Sequence, residues 1–120
     1  MGAAAILIVE DESSIAGLLQ DRLRGEGYQV TIAYTGEEAV RDIKERKPDV
    51  ITLDIHLPDA NGMNILAGIK ANPDTKAIPV IIISSSDEGE NAKMNGAEEF
   101  IPKPINFKKL FEIIRGLKIK

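Results

Sequence analysis

The sequence predicts an α/β protein: a doubly wound, five-stranded parallel sheet of order 2-1-3-4-5, with helices on both faces. Three features point there. Apolar periodicity switches repeatedly between strand-like runs and helix-like stripes, so strands and helices alternate along the chain. Three of the strand-like runs are apolar without interruption, as parallel strands covered on both faces are. The other two, second and fifth in chain order, have the mixed character of sheet edges, which favours that strand order.

The first strand is "AAILIV", a continuous apolar run. The helix after it carries the stripe Ile15, Leu18, Leu19 and Leu23, is expected to start behind Ser13 or Ser14 as cap, and stops at Gly25 and Gly27. "YQVTIAY" alternates, with Tyr28, Val30, Ile32 and Tyr34 on one side, and reads as an edge strand. Thr35 and Glu38 form a capping box that opens a helix carrying Ala39, Val40 and Ile43. "DVITL" is the third strand. Ile65, Leu66 and Ile69 mark the third helix, which ends near "NPD". "PVIII" is the fourth strand, and "AEEFI", short and partly polar, suits the second edge. The final helix starts behind Asn106 and carries Phe107, Leu110, Phe111, Ile114 and Leu117. Right-handed crossovers then place helices on both sides of the sheet, a flavodoxin-like architecture.

At 120 residues the chain is long enough for a real core and is expected to form one domain. Its composition, 43% hydrophobic and 28% charged, is ordinary for a globular protein. The absence of cysteine removes disulfides and thiolate metal sites and suits a reducing compartment. A net charge of −4, with no concentrated Lys/Arg patch, argues against direct nucleic-acid binding. The most basic segment, "KKLFEIIRGLKIK", interleaves its charges with core-spaced apolar residues and reads as a helix with a solvated face. The first apolar run lacks a preceding basic region and is too short to span a membrane. Ile6 stands where a myristoylation signal needs Ser or Thr. A cytoplasmic location without membrane attachment is the expectation.

In a parallel sheet every strand ends at the same edge, where such folds bind ligands. Glu10 and Asp11 follow the first strand, and Asp54 follows the third. Ser84 follows the fourth, and Lys103 follows the fifth. Crowded carboxylates repel one another by a few kcal/mol at an effective dielectric of about 20, so their grouping needs a compensating charge. Taken singly, each residue has a plain structural role: acids start helices, a serine caps one, a lysine is solvated. Glu12 is best explained that way, as the beginning of the first helix. Together, clustered carboxylates with one lysine make a hard-cation site suited to Mg2+, which takes one or two carboxylates plus a phosphate oxygen. A phosphoryl group beside Asp54 would be bridged by Mg2+, neutralised by Lys103 and hydrogen-bonded by Ser84. Asp54 would then act as nucleophile and form an acyl phosphate.

The segments "ILIVEDE", "LDIHLPDANG", "PVIIISS" and "GAEEFIPKP" resemble the marker segments of bacterial response-regulator receiver domains, the CheY-like phosphoacceptors. The resemblance spans essentially the whole chain and implies a single receiver domain over residues 1–120, without an effector domain. It implies Asp54 as the phosphoacceptor, Asp11 as direct metal ligand, Glu10 as a ligand acting through water, and the backbone carbonyl of His56 as a further ligand. Ser84 matches the switch hydroxyl, Phe100 the aromatic switch residue, and Lys103 the lysine before Pro104, with a Lys–Pro bond that is usually cis. His56 and Ser86 match positions that tune the lifetime of the phosphoryl group. The side chain of His56 is expected to be exposed and not to bind the metal, since Mg2+ prefers oxygen.

The implied function is a two-component switch. A histidine kinase or phosphotransfer protein phosphorylates Asp54, and the resulting population shift changes affinity for a downstream protein that the sequence does not identify. Such a domain assists its own phosphorylation and dephosphorylation and is not a turnover enzyme. One departure stands out: Ser84 and "GA" at Gly96 lie closer together than usual, by nearly one helical turn. The polar "SSSDEGENAKMNG" offers only Ala92 and Met94 for burial, which predicts a short fourth helix or a loop with one turn.

Other functions sharing parts of this pattern fit less well. A haloacid-dehalogenase-type phosphatase needs a second Asp where His56 stands, and a cap domain. A flavin-binding protein of the same architecture needs a phosphate-welcoming loop where "EDES" would repel the phosphate. A pseudo-receiver, serving protein contact without phosphorylation, has no use for Glu10, Asp11, Asp54, Ser84 and Lys103 together.

Overall fold

The computed structural model describes residues 3–85, 87 and 89–117, with the side chains of Glu90 and Met94 left aside. The expectations for Ser86 and for burial of Met94 therefore lie outside the described residues. Strands β1 (Ala5–Val9), β2 (Gln29–Ala33), β3 (Val50–Leu53), β4 (Val80–Ser84) and β5 (Glu99–Pro102) alternate with helices. The helices are α1 (Ser13–Gly25), α2 (Gly36–Arg46), α3 (Gly62–Ala71), α4 (Gly89–Met94) and α5 (Phe107–Gly116). All strand pairs are parallel and the sheet order is β2-β1-β3-β4-β5, as the sequence predicts.

The uninterrupted apolar runs are explained by two separate cores, because successive side chains of a strand point to opposite faces. Leu7, Val9, Ile51, Leu53 and Ile82 face one side and pack with Ala39, Ile43, Ile65, Leu66 and Ile69 of α2 and α3. Ile6, Ile8, Val50, Ile81 and Ile83 face the other and pack with Leu19 and Leu23 of α1 and Leu110 and Ile114 of α5. Each fully buried Leu or Ile contributes roughly 1.5–3 kcal/mol of transfer free energy, so both faces hold their helices through tertiary packing.

Helix ends follow the sequence in most places. Thr35 caps α2 by accepting the Glu38 amide at 3.1 Å, and Asn106 caps α5 by accepting the Lys109 amide. The Glu38 carboxylate reaches the Tyr34 amide, one residue earlier than in a standard capping box. At α1 the serine cap is a correction: Glu12 is the N-cap, and no side chain caps the helix. Two stripe positions are also corrected. Leu18 is 46% exposed and Val40 is 56% exposed, whereas Ala16 takes the buried place on α1. Tyr34 lies beyond the end of β2 and is exposed.

Helix α4 is short, six residues, as its polar sequence predicts. It is held by the fully buried Ala92 and by Gly89, whose missing Cβ leaves the space that the Phe100 ring occupies. A positive φ of 104° at Gly96 turns the chain out of the helix into β5. Among the described residues no helix is long and apolar enough to cross a membrane.

Candidate functional site

Parallel register brings the strand ends together. Val9 pairs with Leu53, so the residues that follow, Glu10 and Asp54, leave the sheet side by side. The Asp54 amide donates to the Val9 carbonyl at 3.0 Å and the Glu10 amide to the Ala33 carbonyl at 3.0 Å, which extends the ladder to the acids themselves. Ser84 ends β4, is fully buried, and pairs with Pro102, and its carbonyl accepts the Lys103 amide at 3.1 Å. The Lys103–Pro104 peptide is cis.

Lys103 is the electrostatic centre. Its Nζ lies 2.8 Å from Glu10 Oε1 and 3.2 Å from Asp54 Oδ2. Glu12, which the sequence assigns only to the helix start, also stands 4.0 Å from this ammonium. Asp54 Oδ1 accepts the backbone amide of His56 at 3.2 Å. The phosphoacceptor candidate is thus gripped at one oxygen by Lys103 and at the other by the loop that follows it.

Ligand atoms of Glu10, Asp11 and Asp54 all lie within 4.8 Å of one another. Glu10 and Asp54 are buried, whereas Asp11 is exposed, so the cluster opens to solvent on one side. Burial pushes the Glu10 carboxyl above its ordinary value; the Lys103 hydrogen bond and the Glu12 amide pull it down less strongly, and the Asp54 charge adds to the rise. For Lys103, burial alone would lower the value. The hydrogen bond it donates to Glu10 and the charges of Asp54 and Glu10 outweigh it and hold the ammonium above its ordinary range. Three carboxylates against one ammonium leave an excess of negative charge in a partly desolvated place. An all-oxygen donor set with that excess fits a hard divalent cation such as Mg2+.

The remaining candidates sit around this cluster. The side chain of His56 is exposed, as expected. Phe100 is half-buried on β5, packed on the α2–α3 side of the sheet and against Gly89. Three further contributors lie inside the segment "LDIHLPDANG", but the sequence assigns them no role. Gly62 starts α3 so close to the Asp54 carbonyl and the Ile55 Cα that any Cβ there would collide with backbone. Asn61 caps α3 by accepting the Met63 amide at 2.8 Å. Asp59 reaches the start of α2, where it accepts the amides of Gly36 and Glu37 at 2.7 and 3.1 Å.

Comparison with known proteins gives one consistent result. A family model described as the response regulator receiver domain matches residues 6–115. The fold is similar to the signal receiver domain of a DNA-binding response regulator from Colwellia psychrerythraea. That likeness has a TM-score of 0.88 and 32% identity, covering 93% of this chain and 95% of that one. The chemotaxis response regulator CheY4 of Vibrio cholerae matches with a TM-score of 0.87 and 25% identity, over 94% of this chain and 97% of that one. A Mn2+-bound form of the response regulator Rcp1 matches with a TM-score of 0.81 and 27% identity, over 98% and 99% of the two chains.

Proposed function

The chain belongs to the response regulator receiver domain family, and from that premise we propose that it is a phosphorylation-operated switch whose acceptor is Asp54. The observation that carries this assignment is the gathering of Glu10, Asp54 and Lys103 within 3.2 Å contacts at the carboxyl edge of the sheet, with Asp11 beside them. A bound Mg2+ would supply charge neutralisation and a fixed point for phosphate oxygens, held by Asp11, Asp54, the His56 carbonyl and, through water, Glu10.

The chain's own residues would do the rest. An Asp54 oxygen attacks the phosphorus of a phosphohistidine on a histidine kinase or phosphotransfer protein; the P–N bond breaks as the P–O bond of the acyl phosphate forms. Lys103 exchanges its contact with the free carboxylate for one with a phosphoryl oxygen. The Ser84 hydroxyl donates to another, the loop after β4 moves with it, and Phe100 swings into the vacated space. Hydrolysis returns the carboxylate and releases inorganic phosphate, at a rate tuned by His56 and Ser86. The two states then differ in affinity for a downstream protein, which is all a population shift requires. In this account residues 1–120 act as one receiver unit in the cytoplasm, a signalling domain and not a turnover enzyme.

The test is binding of beryllofluoride, a stable phosphoryl mimic, followed by fluorine NMR. A bound signal that needs Mg2+ and disappears in Asp54→Asn is the expected result. Failure to bind at any Mg2+ concentration would make the fold a phosphorylation-independent contact module instead.

A further inference from the structure

The six residues after Ile55 form a closed loop that is tied down at three places. Its neck is shut by the Gly62 amide donating to the Ile55 carbonyl at 2.6 Å, beside an antiparallel bridge between His56 and Asn61. Inside it, the Leu57 amide donates to the Ala60 carbonyl at 3.2 Å. Its tip is fastened to a different element altogether: both oxygens of Asp59 accept amides of the first turn of α2, and Gly36 brings that helix close. A Cβ on Gly36 would lie 2.7 Å from the Ala60 Cβ and 3.2 Å from Asp59 Oδ1, so only glycine permits this approach. The hydrogen bonds donated by these two amides hold the Asp59 carboxyl below its ordinary range.

The same loop begins with the His56 amide, which grips Asp54 Oδ1. We infer that Asp59 is a positioning residue for the divalent-cation site: by clamping the loop to α2 it fixes the His56 backbone and, through it, the Asp54 carboxylate. This rests on the proposal that Asp54 and the His56 carbonyl hold the cation. Asp59 touches neither cation nor phosphoryl group. It acts as the outer-shell partners of metal ligands do, by restricting where the ligands can be. Neither oxygen of Asp59 is replaceable by the helix's own cap, because Thr35 already accepts a different amide, that of Glu38.

The experiment is Mn2+ binding to the full chain, read from the loss of the free-ion EPR signal, with four variants. Asp59→Ala is expected to weaken binding about tenfold, the low end for outer-shell partners. Asp59→Asn, which keeps one acceptor but no charge, is expected to recover part of that loss. Glu37→Gln removes a neighbouring surface charge without touching the clamp and is expected to bind as wild type does; Thr35→Ala loosens the turn of α2 on which the clamp is anchored and is expected to weaken binding, but less than Asp59→Ala. Equal weakening in Asp59→Ala and Glu37→Gln would reduce the effect to charge and overturn the inference. So would unchanged binding in Asp59→Ala. If the wild type itself bound no Mn2+, the cation site would fall and the positioning role with it. That outcome is distinct, because it appears before any variant is compared.

Discussion

At the scale of single residues, Lys103 decides whether the acidic edge can exist without a cation. It lies 2.8 Å from one buried carboxylate and 3.2 Å from another, so removing it leaves like charges facing each other in a low-dielectric place. Breaking a fully buried pair costs about 3–5 kcal/mol. Lys103 keeps some access to water and Glu10 can take up a proton, so Lys103→Met should cost about 1–3 kcal/mol at neutral pH. Urea denaturation measures this, and millimolar Mg2+ should restore more stability to the variant than to the wild type. Gly62 is a second test at this scale. Gly62→Ala forces a methyl group into the Asp54 carbonyl and should destabilise by about 1–3 kcal/mol while displacing Asp54. The residues at the strand ends were legible in the sequence because each apolar run stops abruptly at an acid, a hydroxyl or a lysine. Asp59 was not. Its partners are backbone amides 22 and 23 residues away, and a backbone amide leaves no mark in a sequence.

At the scale of elements, helix existence was legible and helix rotation only in part. Val40 and Ile43 share the apolar face that the sequence suggests for α2, yet Ile43 is 5% exposed and Val40 56%. The face buried is chosen by what the neighbouring element offers, and α2 turns Ala39 and Ile43 towards the sheet. Ile43→Ala should therefore cost about 2–4 kcal/mol, and Val40→Ala no more than about 0.5 kcal/mol, in thermal or urea denaturation. A similar reason explains Leu18 on α1: the helix buries Ala16, Leu19 and Leu23 and leaves Leu18 in water. The short α4 was legible because its sequence holds little to bury. What the sequence did not reveal is how it is retained, through Gly89 lying against the Phe100 ring. The helix nearest the candidate switch aromatic thus depends directly on where that ring sits.

At the scale of the whole molecule, the sheet separates two cores while its carboxyl edge collects charge, and the molecule's carboxylates respond to pH in opposite ways. Asp59 and Glu99 have carboxyls held below their ordinary values of 3.8 and 4.5, through hydrogen bonds from backbone amides in one case and the hydrogen bond from the Lys93 ammonium in the other. Their contributions are present above those values and are lost as pH falls through the lower, folded-state ones. Glu10 is raised, so its contribution is present below 4.5 and is lost as pH rises through its higher folded-state value. The stability difference between wild type and Asp59→Asn should accordingly shrink as pH is lowered below 3.8, which acid titration of the unfolding midpoint would reveal. A net charge of −4 favours cationic partners over nucleic acid for the molecule as a whole. Under the proposed function, the acidic edge gives that charge its chemical use, as a place where a divalent cation and a phosphoryl group would be held together. The most direct test is intact mass after incubation with acetyl phosphate, with Mg2+ or with EDTA, for wild type and Asp54→Asn. A single phosphoryl adduct that requires both Mg2+ and Asp54 is expected. An adduct of the same yield in Asp54→Asn, or one indifferent to EDTA, would contradict it.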